Sequence, residues 1–263
     1  MRGLLLLALL TAAPVAAAPQ STPLDHLPAL KGDYFPLASR ATGTTYHIFV
    51  RLPLDYAEQP ARRYPIVYLL DGDSAFPMLA PQHLFMTIDD RTPDAILVGI
   101  AYGGFGPINK RDRDFGEGAP AFQRFLADEL RPGVERRVRA DPERRILVGQ
   151  SFGGTFVLWS ALTRPDLFWG HVASNPSFRF HQERLQQPAA FQRPTGGKLA
   201  LVSGTANAGP GRAGALAWHD RHSAGPAPWT LRRFDIEGGT HAADLGRAYR
   251  LALNWLLPAQ PAP

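Results

Sequence analysis

The nine residues ILVGQSFGG, residues 146–154, constrain the fold of this chain more than any other stretch. An apolar run enters Gly-Gln-Ser-Phe-Gly, and residues 152–164 continue at once with the apolar spacing of a helix. A strand that becomes a helix this abruptly leaves no room for side chains two positions before and two positions after the serine. Gly149 and Gly153 meet that requirement, so the pattern predicts a tight strand–turn–helix with Ser151 at its tip.

Two kinds of site use a glycine-rich turn of this kind. A dinucleotide-binding loop needs G-x-G-x-x-G after the first strand of the fold, and a phosphate-binding P-loop needs a lysine. Here Ser151 occupies the second small position, the preceding strand is the fourth or later, and no such lysine follows. G-x-S-x-G matches a nucleophile elbow instead, in which the next amide, that of Phe152, faces an oxyanion site. We therefore interpret Ser151 as a nucleophile.

A serine hydroxyl needs a base to take its proton, and in α/β-hydrolases that histidine comes last in the chain. His241 is the last of eight histidines and begins the predicted C-terminal helix, 241–257, after a predicted strand. His219 and His222 lie in a polar segment predicted to be a loop, and they are weaker candidates. No spacing of histidines and carboxylates indicates a metal site, so we expect no metal and no cofactor.

The group that would orient His241 stays open. It should come from the loop after the predicted strand KLALVSG, where the first carboxylate is Asp220 and Asn207 occupies the nearer position. Asp235 and Glu237, on or just after the next strand, are further candidates. The sequence predicts either a triad with Asp220 or a Ser–His dyad whose orienting group is neutral.

The segment YLLDGDSAF, residues 68–76, supplies the second candidate oxyanion donor. It follows an early predicted strand, and the amide of Gly72 or Asp73 would point toward the site. The same residues also fit an Asp-Gly turn before a helix that Asp73 or Ser74 caps. The two interpretations are compatible.

Short apolar runs alternate with longer amphipathic ones along most of the chain. Alternation at this rhythm predicts an α/β protein, and strands that are apolar on both sides indicate a sheet covered on both faces. We expect an α/β-hydrolase fold with a mostly parallel central sheet. The predicted strands are residues 44–52, 64–70, 95–101, 145–149, 170–174, 198–204 and 229–236; the predicted helices are 121–138, kinked or split at Pro132, 152–164 and 241–257; the longest predicted loop is 103–120.

Residues 1–18 combine a basic start, a short apolar core and small residues, the three parts of a secretory signal peptide. We expect its removal, one domain over residues 19–258, a disordered tail over 259–263, no stable membrane anchor, and a periplasmic or secreted protein. The absence of cysteine excludes disulfides and a thiol nucleophile. Basic residues are interleaved with acids despite the net charge of +5, which argues against a nucleic-acid partner.

Six motifs, VYLLDGDSAF, AILVGIAY, RDRDFGEG, FLADELRPGVERRV, RRILVGQSFGG and ASNPSF, occur in the order seen in the esterase D-like or enterochelin esterase-like α/β-hydrolases. The resemblance covers about residues 44–257. An exported single-domain member most resembles the periplasmic esterases that cut the trilactone of catecholate siderophores such as enterobactin. The resemblance implies that Ser151 is the nucleophile and His241 the base, that the amides of Phe152 and of Gly72 or Asp73 bind the oxyanion, and that Ser177 lines the site. The family often has a glutamate where this chain has Asn207.

The same resemblance implies a small-molecule ester substrate, including an iron-loaded catecholate. We expect Lys110, Arg111 and Arg113 to attract such an anion, with Trp169 or Trp218 offering a ring face. The alternatives are a feruloyl, acetyl or general short-acyl esterase, acyl transfer to another alcohol, and a non-catalytic binder on a hydrolase scaffold.

Overall fold

A computed structural model of the protein describes residues 28–30, 32–191, 196–207 and 209–259. The predicted signal peptide, 1–18, and residues 260–263 of the predicted tail lie outside these ranges. The described backbone forms an eight-stranded sheet with the order β1-β2-β4-β3-β5-β6-β7-β8. The strands are β1 (Gly32–Ala38), β2 (Thr45–Arg51), β3 (Tyr64–Leu69), β4 (Ile96–Ala101), β5 (Ala140–Gln150), β6 (Gly170–Ser174), β7 (Gly197–Gly204) and β8 (Trp229–Ile236).

The sheet is parallel from β4 to β8 and antiparallel at its β1 edge. Strands β3, β4 and β6 are buried along their whole length, because helices cover both faces of the sheet. The prediction of a mostly parallel sheet in an α/β-hydrolase fold is therefore confirmed. Parallel strands end at the same edge, so the loops after β3, β5, β6, β7 and β8 meet there.

Helices α1 and α8 pack on one face of the sheet, and α5 and its neighbours pack on the other. Helix α5 is buried on all sides from Gly153 to Leu162, as expected of an apolar helix at the centre of a layer. The helices are α1 (Gly72–Asp89), α2 (Arg111–Phe115), α3 (Ala119–Arg124), α4 (Arg131–Glu135), α5 (Phe152–Thr163), α6 (Gln182–Leu185), α7 (Pro210–Ser223) and α8 (Leu245–Leu256); a π-helical segment spans Phe125–Leu130, and 3-10 turns span Pro28–Leu30 and Gly106–Ile108.

The predicted elements differ from the structure at several points. Strand β1 was not predicted, because it is an exposed edge strand that contains Pro36 and lacks an apolar pattern. Helix α1 carries Pro77 and Pro81, which obscured its helical pattern, and it starts after Asp71 rather than at a cap formed by Asp73 or Ser74.

Other segments proved more helical or shorter than expected. The predicted loop 103–120 contains a 3-10 turn and α2, and the polar segment around His219 belongs to α7. Pro132 lies in the first turn of α4, directly after the π-helical segment, so the helical run continues through a change of hydrogen-bond register rather than a break. Helix α8 begins at Leu245, which leaves His241 in the loop before it. Over the described ranges, no helix has the length and apolar character that a membrane crossing requires.

Candidate active site

The turn between β5 and α5 has the strained geometry that its sequence predicts. Ser151 has φ 56° and ψ −115°, a conformation that side chains rarely adopt. A Cβ on Gly149 would lie 2.5 Å from the carbonyl carbon of Gly153, so the chain can double back only with glycine at position 149. The Ser151 N–H donates to the Ser174 carbonyl of β6 at 3.0 Å, which holds the turn against the sheet.

Three side chains from distant segments form one hydrogen-bonded chain at this turn. The Oγ of Ser151 lies 2.9 Å from Nε2 of His241, and Nδ1 of His241 lies 3.1 Å from Oδ1 of Asn207. Ser151 follows β5, Asn207 follows β7 and His241 follows β8, so the sheet edge brings them together. A serine hydroxyl within hydrogen-bond distance of an oriented imidazole is the arrangement that nucleophilic catalysis requires.

The orientation of the Asn207 amide follows from a second, buried asparagine. The Nδ2 of Asn175 donates to the carbonyls of Thr240, at 2.9 Å, and His241, at 3.1 Å. Its Oδ1 therefore accepts from the backbone N–H of Gly204, at 2.8 Å, and from Nδ2 of Asn207, at 3.2 Å. Because backbone groups fix the Asn175 amide, Asn207 must present its oxygen to His241.

The tautomer of His241 is then determined by the same chain. Asn207 offers an acceptor to Nδ1, so Nδ1 carries the proton and Nε2 is left as the acceptor for the Ser151 hydroxyl. Asn175 and Asn207 are both almost fully buried, which protects these hydrogen bonds from competing water. Two neutral amides thus do the orienting work that a carboxylate does in a Ser–His–Asp triad.

The loop that carries His241 is held from several sides. Gln150, the residue before the serine, donates from Nε2 to the carbonyls of His241 and Ala242. Asp244 accepts from the N–H of Thr240, and this backbone bond, together with the bond from Arg247, lowers the pKa of the Asp244 carboxyl. Gln150 and Asn175 were not singled out in the sequence, although both stand in motifs that were.

The structure does not bring the predicted acid to His241. Asp220 lies on α7, its side chain is 75% exposed, and its carboxylate contacts His219 at 3.3 Å. Asn207 lies before α7, and the helix then carries Asp220 away from the loop that holds His241. Asp235 pairs with Arg212 at 2.7 Å, and Glu237 is exposed. Of the open alternatives, the geometry corresponds to the dyad with a neutral orienter, Asn207.

Three backbone amides near the cleft are candidates for an oxyanion site. The N–H of Phe152, in the first turn of α5, makes no hydrogen bond within the described ranges, and neither do those of Gly72 and Asp73 in the first turn of α1. A Cβ on Gly72 would lie 2.6 Å from the backbone nitrogen of Ile100, so α1 starts in close contact with β4. Asp73 lies on the wall of the same cleft as Ser151, whereas Gly72 lines a neighbouring cavity.

The three predicted cations have different surroundings. Arg111 lines the cleft, but Asp71 holds it through two hydrogen bonds of 2.8 and 3.0 Å, and this pairing raises the pKa of Arg111 against the opposing effect of burial. Arg113 pairs with the buried carboxylate of Asp114 and fixes the loop to the core, not to the cleft. Lys110 is exposed and donates to the carbonyl of Pro107. Of these cations, only Arg111 is brought to the site.

The remaining predicted residues lie on the other side of the turn. Ser177 donates its N–H to the Ser151 carbonyl at 3.2 Å and lines a second cavity together with Trp218. Trp169 does not line either cavity. Its ring packs against the core cluster that includes α8, and the ammonium of Lys198 lies over it. No group of three or more histidine and carboxylate side chains in the described part of the chain is arranged to hold a metal ion.

The cleft at Ser151 has a volume of about 350 Å³, with apolar walls from Leu70, Phe105 and Leu245. Beside Ser151, His241 and the Asp71–Arg111 pair, its polar lining residues are Asp73, Ser74, Asn109 and Gln150. A small apolar cleft with a few polar groups around a nucleophile suits an ester whose carbonyl is presented to the serine.

Comparisons with known proteins agree with this geometry. The family model Esterase, described as "Putative esterase", matches residues 39–220. Ferri-bacillibactin esterase BesA of Bacillus subtilis (strain 168) is 32% identical over 173 residues, which is 56% of this chain and 58% of that protein, so the chain spans less than two thirds of this relative. Apo-salmochelin esterase of Escherichia coli O6:H1 is 28% identical over 236 residues, covering 78% of this chain and 73% of that protein.

A solved structure shares the fold over nearly the whole chain. The crystal structure of the BES protein from Bacillus cereus has a TM-score of 0.76 at 22% identity and covers 93% of this chain and 99% of that one. The family model covers more than half of the 263 residues. The chain therefore belongs to the Esterase family, the esterase D-like or enterochelin esterase-like proteins of the α/β-hydrolase fold.

Proposed function

We propose that this protein is an exported serine esterase that hydrolyses the trilactone of a catecholate siderophore through an acyl-enzyme. The observation that carries the proposal is the hydrogen-bonded chain from Ser151 through His241 to Asn207 at the strained turn. The relatives named above are esterases of ferri-bacillibactin and of apo-salmochelin, and this supports a siderophore ester as the substrate.

In the first half of the reaction, Nε2 of His241 takes the proton of the Ser151 hydroxyl while Oγ forms a bond to the ester carbonyl carbon. The carbonyl oxygen becomes an oxyanion that accepts from the amide of Phe152 and from the amide of Gly72 or Asp73. The tetrahedral intermediate then expels the alkoxide of the lactone. His241 returns its proton to this leaving oxygen, and Ser151 keeps the acyl group.

In the second half, water replaces the leaving alcohol. His241 takes a proton from the water as its oxygen attacks the acyl carbon, and a second tetrahedral intermediate collapses to the acid and free Ser151. Asn207 keeps Nδ1 protonated throughout, so Nε2 faces the reacting oxygens in both halves. The chemistry uses only groups of this chain and water.

Turnover of a matched ester panel tests the proposal. The panel holds enterobactin with and without iron, a feruloyl sugar ester and a short-chain nitrophenyl ester, and Ser151→Ala serves as the blank. We expect the highest kcat/KM on the trilactone and a loss of at least 10³-fold in Ser151→Ala, since the variant has no nucleophile. A fluorophosphonate should label the native protein at Ser151 and leave the variant unlabelled.

Each other outcome contradicts a defined part of the proposal. Activity confined to the feruloyl or nitrophenyl ester would retain the serine esterase and reject the siderophore. Transfer of the acyl group to an added alcohol in preference to water would favour a transferase. Absence of turnover and of fluorophosphonate labelling would leave a non-catalytic binder.

Export is a separate part of the proposal, supported by the pattern of residues 1–18. Expressed in a Gram-negative host, the full chain should accumulate in the periplasmic fraction with its N-terminus shortened to Ala18 or Pro19. Intact mass measurement of the fractionated protein checks this. A full-length chain retained in the cytoplasm would reject export without affecting the esterase assignment.

A further inference from the structure

A second cavity of about 720 Å³ opens beside the catalytic turn, about twice the volume of the cleft at Ser151. It is a groove between α6 and α7, and Phe152 and Ser177 also line it. Phe152 follows the nucleophile, and the Ser177 N–H donates to the Ser151 carbonyl at 3.2 Å. The groove therefore adjoins the backbone of the turn that carries Ser151, while the Ser151 side chain lines the cleft.

Two arginines without an ion-pair partner among the described residues lie along the groove. In the described part of the chain, the guanidinium groups of Arg179 and Arg221 have neither a carboxylate within 4 Å nor a side-chain hydrogen bond. Arg179 lies over the ring of Phe152, 5.4 Å from its centroid. The cleft differs in this respect, because Asp71 neutralises Arg111 there. The groove is thus the better place for an anion.

The groove also offers the half-buried ring of Phe178, with the buried Trp218 beside it on α7. Phe178 is half-buried, and a Cβ on Gly214 of α7 would lie 2.6 Å from its ring, so helix and ring are in close contact. Trp218 is almost fully buried on the same helix face, and its indole N–H has no hydrogen-bond partner within the described ranges. Aromatic surface beside cationic groups suits a planar anion, whose ring stacks while its oxygens bind the guanidinium groups.

The loop that carries Phe178 and Arg179 is strained. Asn175, Phe178 and His181 all have positive φ, at 40°, 54° and 60°, and this is costly for a bulky residue such as Phe178. The fully buried hydroxyl of Thr155 accepts from the N–H of Phe178 at 3.2 Å and so holds the strained backbone in place. Such strain is typical of segments that position a ligand.

A third cavity, of about 770 Å³, lies on the other side of the cleft and is less suited to an anion. Its described lining includes Asp33 and Asp73 and no lysine or arginine. Like charges would repel an anionic group there, so the charge pattern selects the groove between α6 and α7.

We propose that the groove between α6 and α7 binds an anionic aromatic arm of the ester substrate, with Arg179 and Arg221 binding its oxygens. This inference rests on the proposed function in one respect, that the arm belongs to an ester which Ser151 cleaves. The chemistry recognised is a benzene ring that bears acidic oxygens, such as a catecholate or a benzoate with adjacent hydroxyls. In this proposal Arg179 and Arg221, and not Lys110 and Arg113, are the cationic groups that bind the substrate.

Calorimetric titration with 2,3-dihydroxybenzoate tests the groove directly. The Ser151→Ala protein serves as the parent, and Arg179→Gln, Arg221→Gln and the double variant are compared with Arg124→Gln, an exposed arginine on α3 that makes no ion pair in the described structure. We expect Kd to rise about tenfold in each single variant and further in the double variant, with Arg124→Gln unchanged, as for loss of a charge-assisted hydrogen bond. Benzyl alcohol, which has no charge, should bind equally weakly to all.

Turnover provides the second readout, in proteins that retain Ser151. The ratio of kcat/KM on the trilactone to kcat/KM on the nitrophenyl ester should fall about tenfold in Arg179→Gln and Arg221→Gln. If the native protein does not cut the trilactone but still binds the benzoate through these arginines, the siderophore assignment fails and the groove stands. If the benzoate does not bind, or binds all variants alike, the groove proposal is rejected, whatever the substrate.

Discussion

At the residue scale, His241 is oriented by an amide, and this has a chemical consequence. The buried Asn207 provides an acceptor for Nδ1 and so selects the tautomer, but it brings no negative charge to the imidazolium of the proposed acyl transfer. A carboxylate would stabilise that cation as well as orient the ring. The site therefore depends on geometry, and the geometry depends on Asn175, which fixes the Asn207 amide.

Replacing Asn207 by alanine removes the orienting acceptor. We expect kcat to fall between about tenfold and 100-fold with KM nearly unchanged, since a hydrogen bond of about 1.5–3 kcal/mol is lost from the reacting state and not from substrate binding. Steady-state kinetics on the nitrophenyl ester measures this. A variant with native kcat would imply that His241 needs no orienting partner.

A change at Asn175 should also lower kcat, because Asn175 holds the Asn207 amide that orients His241. Asn175→Asp keeps the acceptor for Gly204 but places an oxygen against the carbonyls of Thr240 and His241, which only a donor can satisfy. We expect a lower kcat and a destabilisation of about 1–3 kcal/mol, because the partly buried Thr240 carbonyl loses its side-chain donor and the His241 carbonyl keeps only that of Gln150. Kinetics and chemical denaturation check both effects, and native behaviour of Asn175→Asp would exclude a role for the amide N–H groups.

At the scale of elements, the strand–turn–helix that carries Ser151 treats its two motif glycines differently. A Cβ on Gly149 would collide with the backbone of Gly153, whereas a Cβ on Gly153 would come no closer than 3.2 Å, to Oδ2 of Asp71. A carboxylate oxygen can shift by a few tenths of an ångström, but a backbone carbon in a tight turn cannot. From the sequence pattern alone, both positions are expected to require glycine because a side chain would not fit.

Alanine at the two positions should therefore give opposite results. We expect Gly149→Ala to abolish fluorophosphonate labelling of Ser151, because the turn cannot close around the new Cβ. Gly153→Ala should retain labelling and change stability by less than about 1 kcal/mol, since better helix propensity offsets the close contact. Labelling and thermal unfolding of both variants test this, and equal loss in both would reject the structural distinction.

At the scale of the whole molecule, two buried histidines link stability to pH. Burial lowers the pKa of His171, in β6, to about 3, and lowers that of His83, in α1, to about 4, against an ordinary value of 6.5. His171 has no hydrogen-bond partner for either ring nitrogen within the described ranges, and His83 accepts or donates at Nδ1 with the hydroxyl of Tyr249 at 2.8 Å. Both are neutral in the folded protein, whereas the unfolded chain protonates them below about pH 6.5.

The unfolded state therefore binds more protons than the folded state below pH 6.5, and stability falls as the solution is acidified. Each histidine should account for a loss of about 2 kcal/mol between pH 7 and pH 5. In His171→Leu one of these contributions disappears. The free energy of unfolding of the variant should at least equal that of the native protein at pH 7, and the difference in its favour should grow by about 2 kcal/mol at pH 5. Urea unfolding across this range measures the difference, and parallel pH profiles would contradict it.

Local sequence patterns alone predicted much of the fold and part of the candidate site. The order of the parallel strands and the turn at Ser151 follow from hydrophobic spacing and glycine sterics, which act between residues close in the chain, and His241 was selected by its place as the last histidine of the chain. A helix that contains Pro77 and Pro81, or an exposed edge strand such as β1, breaks those local rules and was missed.

Partner choice was decided by the tertiary structure. Asn207 lies 34 residues from His241, and Asn175 lies 32 residues from Asn207, so their hydrogen bonds exist only because β6, β7 and β8 end at one edge of the sheet. The predicted loop 103–120 suggested Lys110, Arg111 and Arg113, but the fold pairs Arg111 with Asp71 and Arg113 with Asp114. Among the described residues, Arg179 and Arg221 along the groove have no ion-pair partner. A sequence determines which charges a chain has; which of them are neutralised depends on the neighbours that folding supplies.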